Sequence, residues 1–333
     1  MSTPVPPNEL PADGVRLSVI HIGEVAGVAA KLVKGLRDQG VHSQLRALPA
    51  PRPDSSLLLK GLSMWPRVSA AKEVRSELRL EDSIAHVHYA TSGMLFAGTH
   101  PLVIHAHGTD VRDPSGLQSK ILKRVFLAAD LVLASTPDLI RWLPSNSVYL
   151  PNPVDTEMFC EYPEEPERDV LVFAALTDVK GAPQILEVVR ALKKQRPGIG
   201  ITAINHGPYV EQFKAEGVEL VDFTAPEALP GLIANHRIVI GQRKLGVLGT
   251  SELQAMACAR PVAIPLDASL HSSDFPPVIN AGYARDAADE ILRLLEAPLD
   301  LIAVGAASRD WVVKRHSVPE VSRQLVKLYD KLR

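Results

Sequence analysis

The chain has 333 residues, 46% hydrophobic and 22% charged, with a formal net charge of −2. That length suffices for two domains that each bury a core, and the near-neutral balance gives no electrostatic ground for nucleic acid or an anionic membrane as main partner. Two cysteines, Cys160 and Cys258, exclude a disulfide framework and any Cys-rich zinc site and fit a reducing cytoplasm.

The opening "MSTPVPPNELPADG" has neither a basic start nor an apolar core, so it does not read as a signal peptide. No apolar run approaches the roughly 20 residues of a bilayer span, and a soluble, cytoplasmic protein is expected. "VRLSVIHI" (residues 15–22) reads as a buried strand and "AGVAAKLVKGLRDQG" (26–40) as a helix stopped by Gly40. "SSLLLKGLSMWPRVSAAKEVRSELRL" reads as a core-packed helix pair with a solvated basic face (Lys60, Arg67, Lys72, Arg75); peripheral contact with a lipid surface or an acceptor is the alternative. Strands follow at "IAHVHY", "LVIHAH", "LVLAS" and "SVYL", with helices at "SKILKRVFLAAD" and "TPDLIRWLP". In the last of these Thr136 can cap, Pro137 suits the first helical position and Asp138 favours the positive end.

"CEYPEEPERD" (160–169) is acidic, carries two prolines and lacks an apolar period, so it reads as a surface linker. Alternation then restarts with strands at "DVLVFAAL", "GITAIN", "GVELVDF", "RIVIG" and "RPVAI". Helices are read at "APQILEVVRALKKQ", "APEALPGLIANH", "SELQAMACA", "ARDAADEILRLLEA" and "SVPEVSRQLVKLYDKLR". The pattern implies two doubly wound α/β domains, 1–160 and 161–316, with a ligand cleft between the C-terminal ends of their parallel sheets.

Four loops at strand ends are candidates for chemistry. In "HIGEVAG" the glycines, Gly23 first, let backbone N–H groups approach a phosphate at a helix N-terminus, although a tight turn explains them equally and Gly-x-Gly-x-x-Gly is absent. In "VIHAHGTDVRD" we read His105 and His107 as projecting to opposite faces of the strand, so no shared metal is expected, and no Cys or carboxylate cluster stands near. His107, last before Gly108, is read as pointing into the cleft and His105 as a core residue; Asp110 and Arg112 stay open between a local turn, an ion pair and function. Lys180, in "TDVKGAP", stands where it can reach an anion that also feels a helix N-terminus. Gly249, Thr250 and Ser251 precede the next helix with free N–H groups for an anion, and Glu252 in its first turn can accept from a ribose diol.

The ordered set "ADLVLASTPDLIRWLP…VYLPNPVDTEMF", "VFAALTDVKGAPQILEVVRAL" and "GTSELQAMACARPV" resembles glycosyltransferase family 4 of the GT-B fold, with matches from about residue 15 to the C-terminal helix. The resemblance implies two Rossmann-like domains, an acceptor held mainly by the first, and a nucleotide-diphospho-sugar donor held mainly by the second. It also implies transfer with retention that needs no metal and no cofactor beyond the donor as co-substrate. It implies His107 beside the donor sugar, Gly23 near the donor phosphates, Lys180 and the amides of Gly249, Thr250 and Ser251 on the diphosphate, and Glu252 on the ribose. The backbone at Asp222 and Phe223 would meet the nucleobase, Asn152 and Asp155 would be structural, and the last helix (317–333) would cross back to the first domain. Three positions depart: Ala175 replaces an arginine, Lys244 a glutamate for donor hydroxyls, and Ala259 the glycine of a turn. Lys244 is kept as a candidate donor ligand suited to an anionic or modified sugar, with Arg243 or Lys244 as substitute for the missing arginine. The expected function is therefore a sugar-nucleotide-dependent glycosyltransferase with a small-molecule, glycan or lipid-linked acceptor. The alternative, motivated by Ala175 and Lys244, is a degenerate scaffold acting as a non-catalytic binding or partner protein.

Overall fold

The computed structural model describes residues 17–49, 57–222, 225–271 and 274–333. The first half builds β1 (Ser18–Ile22), β2 (His42–Arg46), β3 (Ile84–His88), β4 (Leu102–Ala106), β5 (Leu131–Ala134) and β6 (Val148–Tyr149) into a sheet of order β2-β1-β3-β4-β5-β6. The second builds β7 (Arg168–Val172), β8 (Ile201–Ile204), β9 (Glu219–Val221), β10 (His236–Ile240) and β11 (Val262–Ala263) in the order β11-β10-β7-β8-β9. Every pairing is parallel. Parallel neighbours need long crossovers, here supplied by helices on both faces, so central strands such as β1, β3 and β4 are buried along their whole length. The winding reverses between β1 and β3 and again between β7 and β10, and ligands of such sheets bind outside the strand ends at that reversal.

The crossover helices are α1 (Val28–Asp38), α2 (Leu57–Leu80) and α3 (Gly116–Ala128) in the first half. The second has α4 (Ala182–Gln195), α5 (Val210–Ala215), α6 (Leu229–Ala234), α7 (Thr250–Ala257), α8 (Ala284–Glu296) and α9 (Pro298–His316), followed by α10 (Val318–Tyr329). Helix α10 returns to the first sheet: Val321, Leu325 and Tyr329 share a core with Leu32 and Leu36 of α1 and with Val19 and Val103. Gly35 permits the approach, because a Cβ there would stand 2.6 Å from Val318 Cγ1. The chain thus passes between the halves twice, and the passages are bonded to each other. Val154 N donates to His316 O at 2.7 Å, Val318 N to Val154 O at 3.1 Å, and His316 Nδ1 to Asn152 O at 2.9 Å. Asp155 anchors the first passage, its carboxylate accepting Met158 N and pairing with Lys34 of α1 at 3.2 Å.

Several elements differ from expectation. The basic stretch is one helix, α2, that runs through Pro66; Ala71, Val74 and Leu78 are buried, and Arg67 and Arg75 hydrogen-bond to neighbouring loops. The side chain of Lys60 lies outside the described residues. The segment after Thr136 is a short 3₁₀ turn (Pro137–Trp142) that Thr136 does not cap; its hydroxyl donates instead to Asp138 Oδ1 at 2.6 Å. β2 and α9 escape a hydrophobic-pattern reading, β2 because only Ser43 is buried in that edge strand. The residues α9 buries include Gly305, Ser308 and His316.

Ala259 confirms the steric demand of its turn, since it sits at φ 54, in the left-handed region. A Cβ there costs about 1–2 kcal/mol, and a glycine gives back about 0.4–1 kcal/mol as unfolded-chain entropy. Ala259→Gly is therefore expected to raise stability by about 0.5–1 kcal/mol, read as a higher denaturant midpoint at unchanged slope.

Candidate functional site

The ends of β1, β3 and β4 carry five histidines on one face. Val19, Ile84 and Val103 begin that face as apolar core; His21, His86, His88, His105 and His107 continue it toward the cleft. Residues two apart on a strand share a face, so His105 and His107 stand on the same side, with ring centroids 4.3 Å apart. The expectation that they face opposite sides is wrong, and with it falls the geometric reason for excluding a shared metal. The rings are linked in sequence: His107 Nε2 to His88 Nδ1 (2.9 Å), His88 Nε2 to His21 Nδ1 (3.0 Å), His21 Nε2 to the Tyr329 hydroxyl (3.5 Å). The hydroxyl also meets His86 Nδ1 at 2.5 Å, and His86 Nε2 meets His105 Nδ1 at 3.2 Å. Tyr329 comes from the last turn of α10, which ties the C-terminal helix to the cleft wall. Ring nitrogens of His21, His86 and His88, and of His88, His105 and His107, lie within 4.8 Å of one another. Burial pushes the pKa of His21 and of His107 down to about 3. For His86, His88 and His105, burial first and the adjacent imidazoles second hold the pKa well below the ordinary value. All five are neutral at physiological pH.

The turn after β4 is organised by its own acids. Asp110 is fully buried and accepts Ala90 N (2.7 Å), Gly108 N (2.7 Å) and His107 N (3.0 Å), fixing the backbone that presents His107. Burial raises its pKa, against which these N–H groups act. Arg112 Nε pairs with buried Asp138 Oδ2 at 2.8 Å. Asp110 and Asp138 are therefore framework. Asp110→Asn turns an acceptor of three N–H groups into a partial donor and is expected to cost about 2–3 kcal/mol in a denaturant titration.

Across the cleft, Lys180 ends a 3₁₀ turn after β7, and Gly181 at φ 77 lets that turn pack on Arg243 and Lys244. Lys180 O accepts Arg243 N at 2.9 Å, joining the two loops. The Lys180 ammonium lies 3.8 Å from where a Cβ on Gly249 would stand, at the N-terminus of α7. There the N–H groups of Thr250 and Ser251 have no acceptor within the helix. A cavity of about 170 Å³ gathers His107 and Arg112 from the first domain with Lys180, Gln242, Gly249 and Thr250 from the second. Ser251 opens on an adjoining pocket of about 180 Å³, lined also by Ala175, Ile204, His206 and Lys180.

Gly23 and Lys244 stand elsewhere. Gly23, at φ 83, turns the chain but does not line the cavity, where Val25 and Ala26 do. The amides of α1 are not open to a phosphate either, because the Glu24 carboxylate takes Ala29 N and Ala30 N at 3.3 and 2.9 Å. Glu252 is 2% exposed; its oxygens accept Gln242 N and Gly249 N, both at 2.8 Å, which braces the loop over α7, and it lines the pocket of about 180 Å³ beside Ser251. Lys244 is exposed and lines none of these cavities. Arg243 does not replace the missing arginine, since its Nη2 is bound to Ala281 O and Gly282 O. Asp222 accepts from Asn205 Nδ2 at 2.9 Å at the end of β9; Phe223 lies outside the described residues.

Two features were missed in the sequence. The repeated His-x-His at the ends of β3 and β4 signals a shared face once the pleat is counted correctly. A cavity of about 520 Å³ beside the interdomain passages, lined by Tyr149, Asn152, His271, Trp311 and Arg315, has no local sequence signal, because it joins segments more than 100 residues apart.

No family model and no curated protein matches the sequence. Among solved structures, a sucrose-phosphate synthase from Thermosynechococcus elongatus matches with a TM-score of 0.72 at 14% identity, over 95% of this chain and 99% of that one. HepE of Anabaena in complex with UDP-glucose matches at 0.71 and 15%, over 95% and 100%. A glycosyltransferase from Rickettsia africae matches at 0.68 and 14%, over 95% and 98%. The architecture is GT-B: two Rossmann-like doubly wound domains facing across a cleft.

Proposed function

We propose that the protein transfers a sugar from a nucleotide-diphospho-sugar to an acceptor, with retention. The observation that carries this reading is the convergence of Lys180 and the free amides of α7 on one cavity, opposite His107. An ammonium and helix amides aimed at one point suit a diphosphate leaving group, whose charge grows as the glycosidic bond breaks. Ser251, Ala175 and Ile204 border the adjoining pocket, which would take the nucleoside. His107 would wall the sugar pocket. Among the described residues no carboxylate lines the central cavity, which favours front-face transfer in which the leaving phosphate takes the acceptor proton. HepE, solved with UDP-glucose, makes uridine the first base to try.

The rival reading, a non-catalytic scaffold, draws on the lack, among the described residues, of a second unpaired cation lining that cavity: Arg112 is paired with Asp138, and Lys244 is exposed and outside it. Calorimetry with UDP and GDP, followed by a screen of UDP-, GDP-, ADP- and dTDP-sugars with product stereochemistry read by NMR, separates the two. Binding and turnover support the enzyme; neither binding nor hydrolysis of any donor sinks it. Among the described residues no helix is long and apolar enough to cross a membrane.

A further inference from the structure

We propose that His88, His105 and His107 form a binding site for a divalent transition-metal cation of the Zn²⁺ class on the first-domain wall of the cleft. Their ring nitrogens lie within 4.8 Å of one another. Two imidazoles bound to one tetrahedral cation hold their nitrogens about 3.3 Å apart, and His88 Nδ1 and His107 Nε2 already stand at 2.9 Å. His105 Nε2 is fully buried and has no hydrogen-bond partner among the described residues. A cation supplies the partner it lacks.

The nitrogens left over are already oriented for ligation. If His88 binds through Nδ1, its Nε2–H donates to His21 Nδ1; if His105 binds through Nε2, its Nδ1–H donates to His86 Nε2. His21 and His86 then each turn their remaining N–H to the Tyr329 oxygen, which has lone pairs for both. Such outer contacts fix the tautomer and orientation of metal-binding histidines. The neighbouring trio His21, His86 and His88 lacks this property, because both nitrogens of His21 and of His86 are engaged within the network. His107 borders the cleft and gives the ion a way in. Three histidine ligands, of which His107 lines the cavity, leave a fourth position for water or a ligand oxygen. An all-imidazole donor set selects Zn²⁺, Co²⁺, Ni²⁺ or Cu²⁺ over Mg²⁺ or Ca²⁺.

The test needs no knowledge of the reaction, so its failure and that of the glycosyl-transfer reading are distinguishable. The full chain is stripped with a chelator, dialysed against Zn²⁺ and assayed for retained metal by mass spectrometry; Co²⁺ is added in parallel for its visible spectrum. One ion per chain and a four-coordinate Co²⁺ spectrum are expected. His107→Ala, at the cleft edge, should weaken retention at least tenfold, and His86→Phe, which removes the contact behind His105, by about 10–100-fold. The exposed-histidine variant His100→Ala should retain the metal, and circular dichroism checks that each variant is folded. If His86→Phe fails to fold, His107→Ala decides. No retained Zn²⁺, or retention unaltered by His107→Ala, overturns the proposal.

Discussion

Lowering the pH from 7 to about 4 is expected to unfold the first domain cooperatively. The five sheet histidines are neutral because burial depresses their pKa, to about 3 for His21 and His107. In the unfolded chain they take up protons near pH 6.5. Below that value the unfolded state binds more protons than the folded one, so stability is full above it and falls as the pH drops toward the folded pKa. Each histidine contributes a slope of about 1.4 kcal/mol per pH unit, and five together about 7. Against a typical total of about 5–15 kcal/mol, the transition should fall roughly one to two units below pH 6.5. Near-UV circular dichroism across a pH series checks this. A chain with native tertiary signal at pH 4 would mean that the histidines are not held neutral as a group.

Lys180→Ala is expected to lower kcat/KM for donor turnover by about 10²–10³-fold, the usual loss when one charge stabiliser of a developing anion is removed. The effect should appear in nucleoside diphosphate affinity as well. Thermal stability should stay within about 0.5 kcal/mol of the parent, because the ammonium has no side-chain partner among the described residues. Lys244→Ala, at an exposed position outside the cavities, serves as the matched control and should leave donor turnover unchanged. Equal kinetics for Lys180→Ala and the parent would remove the cation from the reaction and favour the scaffold.

Two parallel sheets were legible because their central strands are continuous apolar runs, as burial on both faces requires. The placement of Lys180, Gly249 and Thr250 on one cavity was legible for the same reason: strand ends and helix starts fix where such loops lie. What escaped was which main-chain groups a side chain binds and which face a strand residue takes. Glu252 lines the pocket beside Ser251, and what the sequence did not show is that two main-chain N–H groups also hold its oxygens. Glu24 likewise closes the α1 amides that the glycines seemed to open. Helix α9 hides because Gly305 packs where a Cβ would stand 2.2 Å from Ala259 O, so its buried stripe is small and polar. The histidine network could have been found in part, from two His-x-His pairs on strands that doubly wound order makes adjacent. Tyr329 could not, since its partner His86 is 243 residues away.

The return of α10 also bears on the order in which a growing chain can fold. The first domain leaves the ribosome first, yet Val321, Leu325 and Tyr329 belong to its core. Until residue 329 has emerged, the face of β1, β3 and β4 that carries the histidines lacks the part of its cover that α10 adds beside α1. The core of the second domain is complete once Val312 is made, 17 residues before Tyr329. Domains usually fold in the order of synthesis; here the earlier-made half must wait, its sheet face open to chaperones or to other nascent chains.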